Sequence, residues 1–478
     1  MTATTMCSSY EGGYFIGSLK TIVAVEIALL LMLTTQAFAI HRARYGGTLR
    51  IGVANAPHSS TPTDALSRED WLLVGAVHEQ LYRLDTQGTP VINLLEKQPK
   101  RTQHKRTWNC RLRSDIRFHS GKPMRAKDVQ KSVAKLRNTR FAWIPLFLKV
   151  KPTGKLTFRI TLKQTLSERE LGLLLASPAL SILPSKAIAT TGAGPFQVRR
   201  WDRHQGTVVL ERFEQHHRGA PYLESVRIET ARDALEAAEW FRHARVDVVF
   251  DDSREPLDAL PDSQFFRAIR LPGPIRESLG IIVNRHRPQI RLADRQQVMD
   301  AAERTVARDS IAGKTVTSTH IVPRDVAHTK SSPPSSTPRG KMTPWRLGCP
   351  SGLKKACKVV AYGIAASLTS SDESVSRWPT IPLNRNATLM ASQHPKRAGW
   401  DAILMSIIHV DPWPPGALHT LATMAFGQPT ANPKRQLLKT RSWIPLVERR
   451  LFLVHAPMIK NLRWSTAALL DMGGVWIQ

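Results

Sequence analysis

Cysteine is scarce in this 478-residue chain, four in all, and no two of them stand in the C-x-x-C spacing of a zinc ribbon or a thiol oxidoreductase. Long apolar runs are scarcer still. The most apolar stretch, Thr21 to Leu33, covers only about 13 residues and is broken by Glu26, whereas a bilayer span takes roughly 20. The strings that mark the common enzymes are missing too: there is no G-x-S-x-G, no H-E-x-x-H and no Walker loop. The 16 histidines are scattered, so that a lone one such as His78 or His119 reads as a helix-surface or core residue. The reading is that of a chain without catalysis and without a cofactor. Acidic residues are few, 38 against 68 basic ones, which leaves a formal charge of +30. Such a balance attracts polyanions, anionic lipid or acidic solutes but fixes nothing about fold. The basic residues are spread along the whole length, with short clusters such as Lys100-Arg101 and Lys105-Arg106, so a general bias and a nucleic-acid face are equally open.

What is present begins with the N-terminus. Lys20 precedes the apolar run, and Ala37-Phe38-Ala39 offers an A-x-A cleavage site, so residues 1–39 read as a secretory signal peptide removed near Ala39. The rival is a membrane anchor, which the short run and Glu26 disfavour. No cysteine stands at the cleavage point, so a lipid anchor is not implied. Cys7 leaves with the leader. Cys110 points inward on its strand as a small buried thiol, and Cys349 and Cys357, eight residues apart, leave a disulfide and two free thiols equally open.

The stretch from Trp108 to Leu136 organises the rest. Trp108, Cys110 and Leu112 alternate with Asn109, Arg111 and Arg113, the period of a half-buried strand. Ile116 to His119 follows as a second short strand, and Ser120-Gly121-Lys122-Pro123 makes a turn. Val129, Val133 and Leu136 then share one face of a helix, with Asp128 in its first turn. The order of Leu112-Arg113, Arg117-Phe118-His119, Gly121-Lys122-Pro123 and Ala126-Lys127-Asp128-Val129 resembles the signature of the family 5 extracytoplasmic solute-binding proteins, the dipeptide, oligopeptide and nickel receptors of ABC importers.

Other segments carry the same resemblance. Tyr45 to Gly52 is similar to the strand that opens the mature proteins of the family. Gly192-Ala-Gly194-Pro195-Phe196, with Trp201-Asp202, resembles the family's G-T-G-P-Y/F-x-V-x-x-W-D. Here the glycines and Pro195 build a turn into a strand and not a phosphate loop, since no third glycine and no Lys-Ser/Thr follow. Where the family has N-x-x-Y-W-x-G-x-P, this chain has Phe213, His216-His217, Gly219 and Pro221. Adjacent side chains diverge on most backbones, so the two histidines read as a surface loop and no metal site is expected. Where the family has L-A-x-x-W, the chain has Leu94-Leu95-Glu96-Lys97-Gln98. Residues 315–345 match poorly and are rich in Ser and Pro.

The resemblance implies an α/β fold of the periplasmic-binding-protein type, with two lobes, an extra N-terminal subdomain and mixed sheets flanked by helices. It places lobe I at 40–82, 185–270 and 460–478, the subdomain at 83–184 and lobe II at 271–459. It implies a monomer outside the inner membrane that closes on a peptide-like, anionic or chelate solute and delivers it to the membrane subunits of an ABC permease. A regulator of the same fold that binds DNA through its basic surface is the alternative, although the N-terminus carries an apolar leader and no helix-turn-helix. Ligand contact is implied at Ser406, His409, Asp411 and Trp413, and in the Ala54–Ala65 loop with Asn55 beside Ala54 and with His58. Phe118, Gly121, Pro123, Asp128, Gly194, Pro195 and Trp201 are expected to be structural. Relatives that take peptides hold the amino group with an acidic residue just before the Asp-Pro step. Ser406-Ile407-Ile408-His409-Val410 has none, so zwitterionic dipeptides are expected to bind poorly.

Overall fold

The computed structural model describes residues 43–85, 87–185, 190–250, 268–284, 286–287, 289–308, 316–317, 344–368, 378–384, 387–388, 399–408, 412–464 and 470–478. The leader, His409, Asp411 and the Ser/Pro-rich stretch around 331–338 lie outside the described residues.

Within the body Tyr45–Ile477, the spine is an eleven-stranded mixed sheet. In spatial order its strands are Thr380–Leu383, Leu347–Pro350, Ala402–Ile408, Ile269–Val283, Trp443–His455, Val248–Phe250, Thr48–Val53, Ser225–Thr230, Thr207–Arg212 and Phe196–Asp202, with Val316–Thr317 paired on Trp443–His455. Thr48–Val53 runs parallel to both of its neighbours, and Leu347–Pro350 does the same at the other end. Parallel pairs need covered faces, and the sequence AILMSII of Ala402–Ile408 shows why. Ala402 and Leu404 enter a core with the helices Leu292–Arg308 and Lys354–Leu368, while Ile403, Met405 and Ile407 enter another with the helix Pro414–Phe426.

A four-stranded antiparallel sheet, Lys100–Arg101, Thr107–Arg111, Thr157–Leu162 and Leu148–Pro152, stands apart from the spine. Trp108, Cys110 and Leu112 are buried and Asn109 and Arg111 exposed, as their alternation predicts. Burial pushes the Cys110 thiol up to about 12. Ile116 to His119 is not a strand: it makes a single bridge, Arg117 to Pro123, and the chain reverses at Gly121 with φ +76°. The segment is too short to ladder, because the turn that Gly121 and Pro123 impose arrives after one pair. Phe118 is buried beside it. The helix Ala126–Lys135 buries Val129 and Val133, and Leu136 ends it. Asp128 caps it by accepting the Arg125 N–H at 2.9 Å and ties it to Ser185 Oγ at 2.6 Å.

Gly192 and Gly194 lie against the end of the helix Arg68–Val77. A Cβ on Gly194 would meet the Ala76 carbonyl at 2.4 Å, and the Gly194 N–H donates to Val77 O at 2.9 Å. The glycines serve a close backbone approach. Pro195 leads into Phe196–Asp202, where the Arg203 guanidinium covers the Trp201 ring at 4.2 Å. Gln98, where the family carries tryptophan, accepts the Tyr82 hydroxyl at 2.5 Å. Cys349 and Cys357 are joined in a disulfide across one turn of chain. Among the described residues no helix is long and apolar enough to cross a membrane.

Candidate solute-binding crevice

Two helices from distant parts of the sequence meet beside the spine. Pro414 and Pro415 open the second of them, Pro414–Phe426, a position where a missing N–H costs nothing, and Gly427 closes it in the left-handed conformation. Trp413, its N-terminal neighbour, is buried with its ring 5.9 Å from Trp143 and 5.1 Å from Phe147, both on the short helix Trp143–Phe147. The Trp143 indole donates to Thr420 Oγ1 at 3.0 Å and stacks on His419 at 5.1 Å. Burial, and then the charge of Lys163, hold His419 down to about 4, so the imidazole is neutral at pH 7.

A crevice open to solvent lies beside this contact. Trp71, Arg140, Phe141, Ser406, Ile408 and Thr420 are among the residues that line it. Arg140 is buried, donates to the Ala65 carbonyl and lies 4.7 Å over the Phe141 ring. Ser406 hydrogen-bonds to the buried carboxylate of Glu277, which sits on the neighbouring strand opposite Ile408. A mostly apolar crevice thus carries a guanidinium and a hydroxyl backed by a carboxylate, a set suited to orienting a small polar solute.

Of the residues singled out in the sequence, Ser406 lines the crevice and Trp413 packs in the aromatic contact at its side. Asn55 and His58 are exposed, and Ala54 is partly buried. The loop that holds them is fixed by Asp70, whose Oδ1 accepts the N–H groups of His58 and Ser59 at 2.8 and 2.9 Å. His409 and Asp411 lie outside the described residues. Arg140 and Glu277 were missed, because each follows an ordinary pattern, one a helix boundary and the other a long strand.

His216 and His217 are not a surface loop. Both side chains are buried and turn toward Glu79, with Nε2 distances of 2.9 and 3.5 Å. The segment forms a tight turn at Gly219 and does not extend, so adjacent side chains converge instead of diverging. His119 is partly buried and bridges Gly192 and Gly194, and His78 is fully buried.

Comparison with known proteins fits this geometry. Residues 89–290 match the family model for bacterial extracellular solute-binding proteins, family 5 middle region. The family 5 resemblance read from the sequence is borne out. Curated proteins similar to the chain include the uncharacterized protein YhjP of Bacillus subtilis (strain 168), 30% identical over 137 residues, 28% of this chain and 23% of that protein. The nickel-binding periplasmic protein of Escherichia coli (strain K12) is 24% identical over 250 residues, 48% of this chain and 46% of that one. The matches span less than half the length of these curated relatives. In three dimensions the chain is similar to Haemophilus influenzae OppA, solved in complex with RPPGFSPFR, with a TM-score of 0.74 and 13% identity over 91% of this chain and 100% of that one. The expected α/β fold of the periplasmic-binding-protein type is therefore the fold observed.

Proposed function

We propose that the protein is the extracytoplasmic substrate-binding component of an ABC importer, which captures a peptide-like, anionic or chelated solute between two lobes and hands it to an inner-membrane permease. The single observation that carries this reading is the crevice lined by both Arg140 and Ser406, the latter hydrogen-bonded to Glu277. A buried guanidinium suits a carboxylate or other anion, and the apolar lining supplies affinity without selecting a side chain. The relatives point the same way: one is named for nickel, and another was solved with a peptide. Nothing in these matches favours a DNA-binding regulator.

The lobes are proposed at 40–82, 185–270 and 460–478 for the first, with the subdomain 83–184 packed on it, and at 271–459 for the second. Closure brings Trp413, His419 and Thr420 onto Trp143 and Phe147. His409 and Asp411, following directly on the strand that carries Ser406, are proposed to complete the ligand shell. The protein acts as a monomer in the periplasm after cleavage near Ala39.

A thermal-shift screen of short peptides, organic acids and metal chelates tests the proposal, since a solute that binds only the folded state raises the melting temperature. The expected result is a shift with at least one anionic class that is lost in Arg140→Ala and reduced in Ser406→Ala. Shifts that are the same in the wild type and both variants would place binding elsewhere. Osmotic shock should release the protein; retention in the cytoplasm would contradict the assigned compartment.

A further inference from the structure

The buried cluster around Glu79 is not part of the crevice: none of its members lines it. Glu79 follows the helix Arg68–Val77 and is almost fully enclosed. His216 Nε2 lies 2.9 Å from Oε1 and His217 Nε2 lies 3.5 Å from Oε2. One ligand atom from each of the three residues can be chosen so that all lie within 4.8 Å of one another. The His217 Nε2 is buried and makes no hydrogen bond, although imidazole nitrogens removed from water ordinarily find a partner.

We propose that Glu79, His216 and His217 form a binding site for one divalent transition-metal ion of the zinc or nickel kind. Two imidazoles and one carboxylate suit a borderline cation and do not suit calcium or magnesium, which take mostly oxygen. Metal–ligand bonds of roughly 2.0–2.2 Å at a tetrahedral centre put neighbouring ligand atoms about 3.3 Å apart, which the carboxylate–imidazole separations already approach. Asn93 Nδ2 donates to Glu79 Oε2 at 2.6 Å, the kind of outer contact that fixes a ligating carboxylate. The turn that holds the histidines is closed by hydrogen bonds from His216 N–H to Phe213 O at 3.1 Å and from Gly219 N–H to His216 O at 2.9 Å.

A separate small crevice lined by Gly75, Gln80, Arg83 and Asn93 also touches Glu79 and Arg218. Arg218 Nη2 stands 3.3 Å from Glu79 Oε1 and competes for the same oxygen. The ion takes the side of the carboxylate that faces the imidazoles, and Arg218 limits its affinity.

The test uses the full mature chain, stripped with EDTA and dialysed, then titrated with Zn2+, Ni2+ and Co2+ by calorimetry, with metal content read by mass spectrometry. One ion per chain is expected, together with the intense visible bands of four-coordinate Co2+. His217→Gln, which keeps a hydrogen-bonding side chain of similar reach, should weaken binding at least about tenfold while keeping the wild-type circular dichroism and melting profile. Arg218→Gln should tighten it. Arg140→Ala, in the solute crevice, should leave it unchanged, so that failure here is separable from failure of the proposed transport role. No stoichiometric ion at about 100 µM metal, unchanged binding in folded His217→Gln, or loss of binding in Arg140→Ala would each overturn the proposal.

Discussion

Arg50 closes on Asp247 through three hydrogen bonds, from its backbone N–H at 2.8 Å, from Nε at 3.1 Å and from Nη2 at 2.6 Å. At the other end of the sheet Arg346 does the same to Asp401, at 2.9, 3.1 and 3.2 Å. Each aspartate stands immediately before a spine strand, while Arg50 lies within the parallel neighbour Thr48–Val53 and Arg346 just before the parallel neighbour Leu347–Pro350. The same lock thus registers a parallel pair on both sides of the molecule. The Asp247 side chain is only 2% exposed while Arg50 is 37% exposed, so losing the arginine strands a buried carboxylate, whereas losing the carboxylate leaves a guanidinium that water can reach. Arg50→Ala should lower the unfolding free energy by about 2–3 kcal/mol, and Asp247→Ala by less, as read from denaturant midpoints at unchanged slope. Equal effects would show that the pair acts as a unit and not through the buried partner.

The contact between Trp413 and the Trp143–Phe147 helix is expected to hold the two walls of the crevice together. Trp413→Ala removes a buried ring of a size whose loss costs roughly 3–5 kcal/mol. Because that ring joins two separate elements, the loss should appear as opening: a larger radius of gyration in solution scattering without solute, and weaker solute binding. A variant that unfolds at lower temperature but keeps its scattering profile would mark Trp413 as ordinary core.

Acid should loosen the same contact. The folded protein holds His419 near 4 by burial and by Lys163, below the 6.5 of a free imidazole. The unfolded or opened chain therefore binds a proton that the closed form refuses, and closure is fully stabilised above about pH 6.5 and weakens as pH falls toward 4. His419→Phe, which keeps the stack on Trp143, should flatten the pH dependence of the melting temperature between pH 6.5 and 4.5. An unchanged slope would assign it to other groups.

Cys110 should be inert. Its thiol is buried in the four-stranded sheet and pushed up to about 12 by burial, and thiolate is the reactive form. Iodoacetamide at pH 8 should leave the Cys110 peptide unmodified in the native protein and label it fully in guanidinium, as mass spectrometry of the digest would show.

The elements with a strong period were legible before any coordinates. The alternation at Trp108–Leu112 became the strand Thr107–Arg111, and the shared face of Val129, Val133 and Leu136 became the helix Ala126–Lys135 with Leu136 at its end. Caps decide boundaries that periodicity leaves loose. The helix Arg68–Val77 starts where Ser67 caps it and stops where His78 turns extended. The crevice was legible only in part: Ser406 falls in the segment that the resemblance marks for ligand contact, but Arg140 stands far from it in sequence and in no string that marks such contact. The histidines misled for the same reason. Divergence of neighbouring side chains holds on extended backbone, and only the turn at Gly219 brings both rings onto Glu79.

Two strands of the spine, Ile269–Val283 and Trp443–His455, run antiparallel side by side for most of their length. Their pairing slips between Pro272 and Arg276 and again between Leu279 and Gly280. A ribbon of that length is a leaf spring, stiff against sliding and soft only where its rungs are interrupted. Any swing of one half of the molecule against the other is expected to be taken up at those two breaks.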